Sequence, residues 1–398
     1  MKIYQINVVC GYGSTGRIAV DLSKVAEKEG HECRIAYGRG DAPEGVDAIK
    51  IASKVEVYAH VLMTRIFDRH GLHSKRATKH LIRDIKDYNP DVIHLHNIHG
   101  YYLNYELLFA FLKEYKKPVV WTMHDCWAFT GHCSYYSEVN CDKWKESCGR
   151  CPQKKTYPTS IFMDASKGQF IRKKEAFTGI DNLIIVTPSK WLESEVKKSF
   201  LSKYETIVIN NGIDLNVFKP TVSDFKERYK LQDKKILLGV ANVWSKGKGL
   251  EDFLKIAAML GEQWKVVIVG IDSKLAKKIP KEILAIPRTS SVKELAKIYT
   301  AADVYFNASV EETMGLTTVE AMACGTPAVV YNKTAVPEVV TTESGVVVKA
   351  GDLNAVKESV EAIANNAEWI EKCRRQASNY LPKSKYGQYI VLYQKMYE

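Results

Sequence analysis

SVEETMGLTTVEAMACGTP, residues 309–327, is the stretch from which the rest of the chain is read. It sets Glu312 and Glu320 eight positions apart, with Gly315 between them and Gly325-Thr326-Pro327 closing the unit. The run Leu316–Cys324 predicts a short helix that stops at Gly325. The start of that helix, at Gly315, Leu316 and Thr317, offers backbone N–H groups without helical partners and the positive end of the helix dipole. Both favour an anion such as a diphosphate. Glu312 falls in the loop before the helix and Glu320 one turn into it, so two carboxylates can flank that anion. Carboxylates accept hydrogen bonds, and sugar and ribose hydroxyls donate them. The competing reading is a solvated acidic loop ahead of an amphipathic helix.

Working outward, apolar runs of strand length recur on both sides of this motif. Ile3–Cys10, Val92–His96, Val119–Met123 and Leu183–Thr187 predict strands in the first half, most of them buried on both faces. Glu32–Tyr37 predicts a second strand there, and Ile18–Glu29 and Glu106–Tyr115 predict helices. The pattern restarts with Ile236–Ala241, Val266–Gly270, Val304–Asn307, Ala328–Tyr331 and Gly345–Val348. Two consecutive strand–helix series predict an α/β protein of two doubly wound, Rossmann-like domains. A length of 398 residues agrees, since it exceeds one ordinary core. The expected division is 1–215 and 216–379, joined through Asn210–Pro220, with the aromatic-rich 380–398 packing back on the first domain.

Several groups could carry chemistry. Gly11-Tyr12-Gly13-Ser14-Thr15-Gly16-Arg17 follows the first strand and opens a helix. A nicotinamide site would also want an acidic residue closing the second strand, where Gly38-Arg39-Gly40 stands instead. The alternative is a flexible loop that brings Gly13 and Gly16 near a phosphate or acceptor. Lys246 and Lys248, in Val243–Gly249, could neutralise a diphosphate leaving group or form a solvated basic loop. His94 and His96 share a strand face, which permits a metal pair, although strand ends in open α/β sheets also line ligand crevices. His124 ends the next strand and is expected beside the same site.

Cys133, Cys141, Cys148 and Cys151 crowd into one short insertion, with Cys148-Gly149-Arg150-Cys151 as a C-x2-C knuckle. They would suit a tetrahedral structural zinc, with His132 and Cys126 as spare ligands, or stand as reduced thiols. Cys10, Cys33, Cys324 and Cys373 are scattered and read as buried thiols.

Hydrophobic residues at 46% and charged residues at 26% place the chain among globular proteins. No apolar run approaches the ~18–20 residues of a membrane span, and Met1-Lys2-Ile3-Tyr4 begins a strand, so a cytoplasmic protein is expected. The formal net charge of +11 suggests an anionic partner. Its focus is Lys54–Lys86, where Arg65, Arg69, Arg76, Lys79 and Arg83 interleave with apolar residues. Such a stretch suits peripheral attachment to an anionic membrane surface, or is an ordinary helix with a solvated face. No nucleic-acid motif accompanies it.

Together these features resemble a retaining glycosyltransferase of family 4, with the fold called GT-B, in which two such domains face each other across a cleft. Glu312 and Glu320 match the family's E-x7-E pair. Gly315-Leu316, Gly325-Thr326-Pro327, Pro337-Glu338, Gly351-Asp352 and Asn211-Gly212-Ile213-Asp214 match its other landmarks. The resemblance implies that Glu320 holds the nucleotide ribose, Glu312 contacts the transferred sugar and Lys248 the diphosphate. The glycine loop and His124 would face acceptor and donor sugar. It implies a nucleotide-sugar donor, a saccharide or lipid-linked acceptor, and no cofactor for catalysis. The cysteine insertion resembles a subgroup that builds bacterial surface polysaccharides. Two departures stand out: Val243 replaces an arginine, so Lys246 would supply the missing charge, and Thr334-Ala335-Val336 replaces the glycines before Pro-Glu. A nucleotide-sugar epimerase of the same fold, and a non-catalytic protein binding nucleic acid or a partner, are the alternatives.

Overall fold

The computed structural model describes residues 1–364 and 368–398. Runs such as Leu183–Thr187 are buried at every position. A strand of that kind needs cover on both faces, which a parallel sheet with helices on each side provides.

The first sheet contains β1 (Lys2–Val9), β2 (Glu32–Arg39), β3 (Ala48–Lys50), β4 (Val92–Leu95), β5 (Val119–Thr122), β6 (Leu183–Thr187) and β7 (Glu205–Val208). Their order is β3-β2-β1-β4-β5-β6-β7, and every pairing is parallel. The second sheet contains β8 (Lys235–Val240), β9 (Trp264–Val269), β10 (Ile283–Ile286), β11 (Val304–Asn307), β12 (Ala328–Tyr331) and β13 (Gly345–Val348). Its order is β10-β9-β8-β11-β12-β13, again all parallel. The expected α/β class with two parallel sheets is therefore what the chain adopts. Sequence reading misses β3, β7 and β10.

The chain divides into two compact units, Met1–Asn211 with Pro382–Glu398, and Gly212–Leu381. The last helix, Pro382–Tyr397, buries Tyr386, Tyr389, Ile390, Leu392 and Tyr393. Two of its phenols reach polar groups of the first sheet: Tyr389 meets the Thr122 hydroxyl at 3.0 Å and Tyr393 meets His94 Nδ1 at 2.6 Å. The basic stretch forms two helices, Lys54–Phe67 and Lys75–Tyr88. Among the described residues, no helix is long and apolar enough to cross a membrane.

Each sheet reverses its winding once, between β1 and β4 in the first and between β8 and β11 in the second. In open parallel sheets, ligands bind outside the carboxyl ends of the strands at such reversals. The loops that follow β8 and β11 hold Lys246–Lys248 and Glu312–Gly315, and the loop after β1 holds Gly11–Gly16.

Candidate active site

In the second unit, the two loops at the reversal are joined by hydrogen bonds. The Gly247 carbonyl accepts from the Val310 N–H at 2.9 Å and from the Ser309 hydroxyl at 3.2 Å. Gly249 sits at φ +74°, and a Cβ there would lie 2.3 Å from Ala308 Cβ. Only glycine lets the lysine loop pass so close to the end of β11. This brings Lys248 Nζ within 2.6 Å of Glu312 Oε1 and 2.9 Å of the Glu311 carbonyl. An ammonium has three donors, so one remains for a ligand. Lys246 is exposed on the same turn.

The helix Leu316–Ala323 begins at Gly315, which takes φ +86° and offers no side-chain cap. Thr318 and Val319 N–H groups turn back to the Gly315 carbonyl. Leu316 and Thr317 head the helix, half-buried, and the Thr317 hydroxyl accepts from Tyr305 at 2.8 Å. A helix start without a cap, between Lys248 and Glu320, has the chemistry to hold a diphosphate. Glu320 is buried, and its Oε2 accepts from the Tyr299 hydroxyl at 3.0 Å. The phenol fixes one carboxylate oxygen, and a carboxylate has further lone pairs to offer a hydroxyl.

Sequence reading passes over Tyr299 and also over what Thr334 does. Thr334 takes φ +49°, the left-handed region where glycine is at ease, at a cost on the order of 1–3 kcal/mol for another residue. Its hydroxyl accepts from the Glu312 N–H at 3.1 Å, and the Ala335 N–H donates to the Glu312 carbonyl at 3.3 Å. Threonine thus clamps the Glu312 loop at a place where glycines would leave it loose. The departure at Thr334-Ala335-Val336 was the sequence signal, pointing to the position but not to the bond.

In the first unit the glycine loop closes on itself, with the Gly11 N–H donating to the Gly16 carbonyl at 3.0 Å. Gly16 is buried, and a Cβ there would stand 3.0 Å from Val9 Cγ2, so its contacts are with the protein's own backbone turn. Gly13 opens the helix Gly13–Lys28 with open space around its Cα.

The histidines form a relay. Gln5 Nε2 donates to the Ala19 carbonyl at 3.0 Å, which fixes its amide and turns Oε1 towards His96 Nε2 at 2.8 Å. His96 Nε2 must therefore carry the proton, leaving Nδ1 as an acceptor. His124 Nε2 lies 3.1 Å from that Nδ1, so it is the donor, and His124 keeps Nδ1 as its acceptor nitrogen. Burial holds His96 well below the ordinary imidazole range and takes His124 down to about 4, so both rings are neutral at neutral pH. His94 and His96 do share a face, but both are buried and bonded to protein groups: His94 to Thr122 and Tyr393, His96 to Gln5 and His124. They do not line a crevice as the sequence suggested. Histidine ¹⁵N NMR is expected to show Nε2–H tautomers at His96 and His124. Gln5→Met should add an Nδ1–H population at His96 and cost about 1–3 kcal/mol of stability, from the polar groups left unpaired. An unchanged tautomer in that variant would break the relay argument.

The cysteine insertion lies between β5 and β6. Cys133, Cys141, Cys148 and Cys151 line one cavity of about 20 Å³ together with His132. The Cys133 thiol donates to Cys151, which holds Cys151 down to about 7 and raises Cys133. Cys148 Sγ accepts from the Gly131 N–H at 3.1 Å. Cys133, Cys141 and Cys148 also pack with Phe129, Tyr136 and Trp144 in the core of the first unit. As they stand, no three His, Cys, Asp or Glu side chains among the described residues form a group that could hold a metal ion. In this arrangement the Cys133 and Cys151 thiols are turned to each other and Cys148 to a backbone N–H.

Two family profiles match the sequence, Glycosyltransferase Family 4 over residues 15–217 and Glycosyl transferases group 1 over residues 222–380. Among curated proteins, the putative colanic acid biosynthesis glycosyl transferase WcaC of Escherichia coli K12 is 25% identical over 418 residues, covering 100% of both chains. The capsular polysaccharide biosynthesis glycosyltransferase CapM of Staphylococcus aureus is 25% identical over 198 residues, 46% of this chain and 52% of its own. Among solved structures, sucrose-phosphate synthase from Thermosynechococcus elongatus aligns over 100% of this chain and 99% of that one, with TM-score 0.72 at 16% identity. Anabaena HepE, in complex with UDP and glucose, aligns over 99% of each chain with TM-score 0.66 at 14% identity. At such identities the structures establish the fold, GT-B. The family 4 profile takes in over half of the sequence, and the group 1 profile covers the unit that holds both glutamates. The chain is a glycosyltransferase and belongs to glycosyltransferase family 4.

Proposed function

We propose that the protein moves a sugar from a nucleoside-diphosphate sugar to a hydroxyl of a saccharide or lipid-linked saccharide, with retention at the anomeric carbon, in polysaccharide biosynthesis. The observation that carries this reading is the Lys248–Glu312 pair, 2.6 Å apart, beside the uncapped helix start at Gly315. A donor needs these elements together: cationic and N–H groups for two phosphates, and carboxylates for hydroxyls on either side. The UDP and glucose named for HepE and the colanic acid named for WcaC support the donor class and the pathway class.

In this reading Glu320 accepts from the ribose hydroxyls and Glu312 from the transferred sugar. Lys248, Lys246 and the N–H groups of Leu316 and Thr317 take up the charge of the diphosphate. The bond between the anomeric carbon and the phosphate oxygen breaks, and its electron pair leaves with the diphosphate. The acceptor oxygen forms the new bond on the same face and gives its proton to the departing phosphate. Charge developing on the leaving group is what the fixed cations and N–H groups stabilise. In the first unit, His124 and the loop at Gly13 and Gly16 are assigned to the sugar and acceptor side, as the family resemblance implies.

A thermal-shift screen against UDP, GDP, ADP and their sugars tests the donor class, because a ligand that binds only the native state raises its Tm. One nucleotide family should stabilise the protein. Glu320→Ala should weaken the binding of that nucleotide by roughly 10- to 100-fold, as expected for losing one or two hydrogen bonds to a charged group. Calorimetry on the bare nucleoside diphosphate is the measurement. An affinity unchanged in Glu320→Ala would remove the ribose role, and a product of inverted anomeric configuration by NMR would remove retention.

A further inference from the structure

The helix Lys54–Phe67 is packed the wrong way round for a helix on a protein surface. A surface helix normally turns its apolar stripe to the core and its polar face to water. Here the inward face is Val57, His60 and Thr64. His60 is tied down by the Ser74 hydroxyl at 2.8 Å and the Gly71 N–H at 3.0 Å, so polar bonds hold the helix in place. The outward face holds Val55, Tyr58 and Leu62, which are 77%, 73% and 59% exposed, with Met63 beside them. These positions recur at the three- and four-residue spacing of one face.

A second apolar element lies against the end of this helix. The Ile161 N–H donates to the Arg65 carbonyl at 2.8 Å, which sets the loop Ile161-Phe162-Met163 beside it. All three are exposed, Phe162 at 71%. Single exposed apolar residues are ordinary, but two adjoining elements that both turn them outwards mark an interaction surface.

The surroundings of this patch are basic. Lys54, Arg65 and Arg69 on and after the helix are exposed. At its start, Arg76, His80 and Arg83 line a cavity of about 340 Å³ with Ile51, Glu56 and Ala77. The nearby carboxylates are engaged within the protein. Glu56 accepts from the Ser53 N–H and hydroxyl, and Asp164 from the Cys151 and Ser166 N–H groups and the Ser166 hydroxyl.

We infer that this face of the first unit docks on the surface of an anionic phospholipid bilayer. The apolar ridge enters the boundary between headgroups and chains, and the flanking arginines and lysines meet the lipid phosphates. Charge complementarity selects a bilayer over a second copy of the chain, which would set like charges against each other. Lys75, Lys79 and Lys86, on the exposed side of the next helix, then add long-range attraction and are not the embedded element.

Vesicle co-sedimentation without donor or acceptor tests this surface independently of the transfer reaction. The intact chain is expected to bind phosphatidylglycerol vesicles at least about 10-fold more tightly than phosphatidylcholine vesicles at low salt, and to weaken near ~0.5 M salt. Tyr58→Asp combined with Leu62→Asp should lower binding to the anionic vesicles by about 10-fold or more, with Tm and nucleotide affinity unchanged. Phe162→Asp should act in the same direction. Arg76→Glu with Arg83→Glu should remove the preference for anionic lipid. Equal binding to both lipids, or undiminished binding by the Tyr58/Leu62 variant, overturns the proposal. So does a dimer in light scattering that the same variant converts to monomer, since a second copy would then be what covers the face.

Discussion

Lowering the pH from about 7.5 to about 5 is expected to destabilise the first unit far more than the second, which holds no histidine. His60, His70, His94, His96 and His124 all belong to Met1–Asn211 and are buried. Burial holds His60 at about 3 and His124 at about 4, and puts His70, His94 and His96 well below the ordinary value. In the unfolded chain each would titrate near ~6.5. Below that value the unfolded chain binds protons that the folded unit refuses, so stability falls as the pH falls. The stabilisation is complete above the unfolded pKa and is lost from there down towards the folded one. At pH ~5 a ring that stays neutral costs about 2 kcal/mol, so His60 and His124 together cost up to roughly 4 kcal/mol, and His70, His94 and His96 act in the same direction. Hydrogen exchange read by mass spectrometry across the pH series assigns the loss to a unit. Peptides of the first unit that remain as protected at pH ~5 as at neutral pH would refute it.

The second large effect is expected at Lys248. Lys248→Ala should reduce kcat by about 10²- to 10³-fold, the scale of losing one fixed donor to a developing negative charge. Glu312→Gln keeps the shape of the side chain while removing the partner that holds Lys248 at 2.6 Å. It should lower kcat by about 10²-fold and leave the affinity for bare nucleoside diphosphate within about 3-fold, because in the proposed reading Glu312 serves the transferred sugar while Lys248 keeps its charge for the diphosphate. Single-turnover kinetics with the matching donor, beside calorimetry with the nucleotide, separates the two quantities. Equal loss of nucleotide affinity in Glu312→Gln and Glu320→Ala would abolish the division of labour between the carboxylates.

Much of the fold was readable because it rests on local patterns. Central strands such as Leu183–Thr187 and Val304–Asn307 are buried along their whole length and apolar up to their last residue, since both faces are covered, and that run is visible in any window of the sequence. The strands that went unread, β3, β7 and β10, are all edge strands. Each pairs on one side only and is half open to water, as the mixed burial of Ala48–Lys50, Glu205–Val208 and Ile283–Ile286 shows. Two of them are only three or four residues long and carry a charged residue, Lys50 or Glu205, and β10 is a four-residue run, so each gives a weak signal.

The candidate active-site motif was legible for the same reason, since Glu312, Gly315 and Glu320 lie within one loop and the start of one helix. Spacing alone could place them beside a helix start, and the family profiles agree with what that motif resembles. What no window could show are the partners brought from a distance. Lys248 and Glu312 are 64 positions apart, His96 and Gln5 are 91, and His94 and Tyr393 are 299. Such pairs form only when folding lays strands, loops or the last helix side by side, and a polar group is buried only where its partner is already waiting. The inverted helix Lys54–Phe67 belongs to the same class. Its sequence reads as basic and amphipathic, but which face turns inward was set by His60 finding Ser74 and Gly71. Residue types and their periods determined the sheets and the carboxylate pair; the tertiary structure alone decided which charges, protons and apolar faces meet, because those energies exist only between segments that folding brings together.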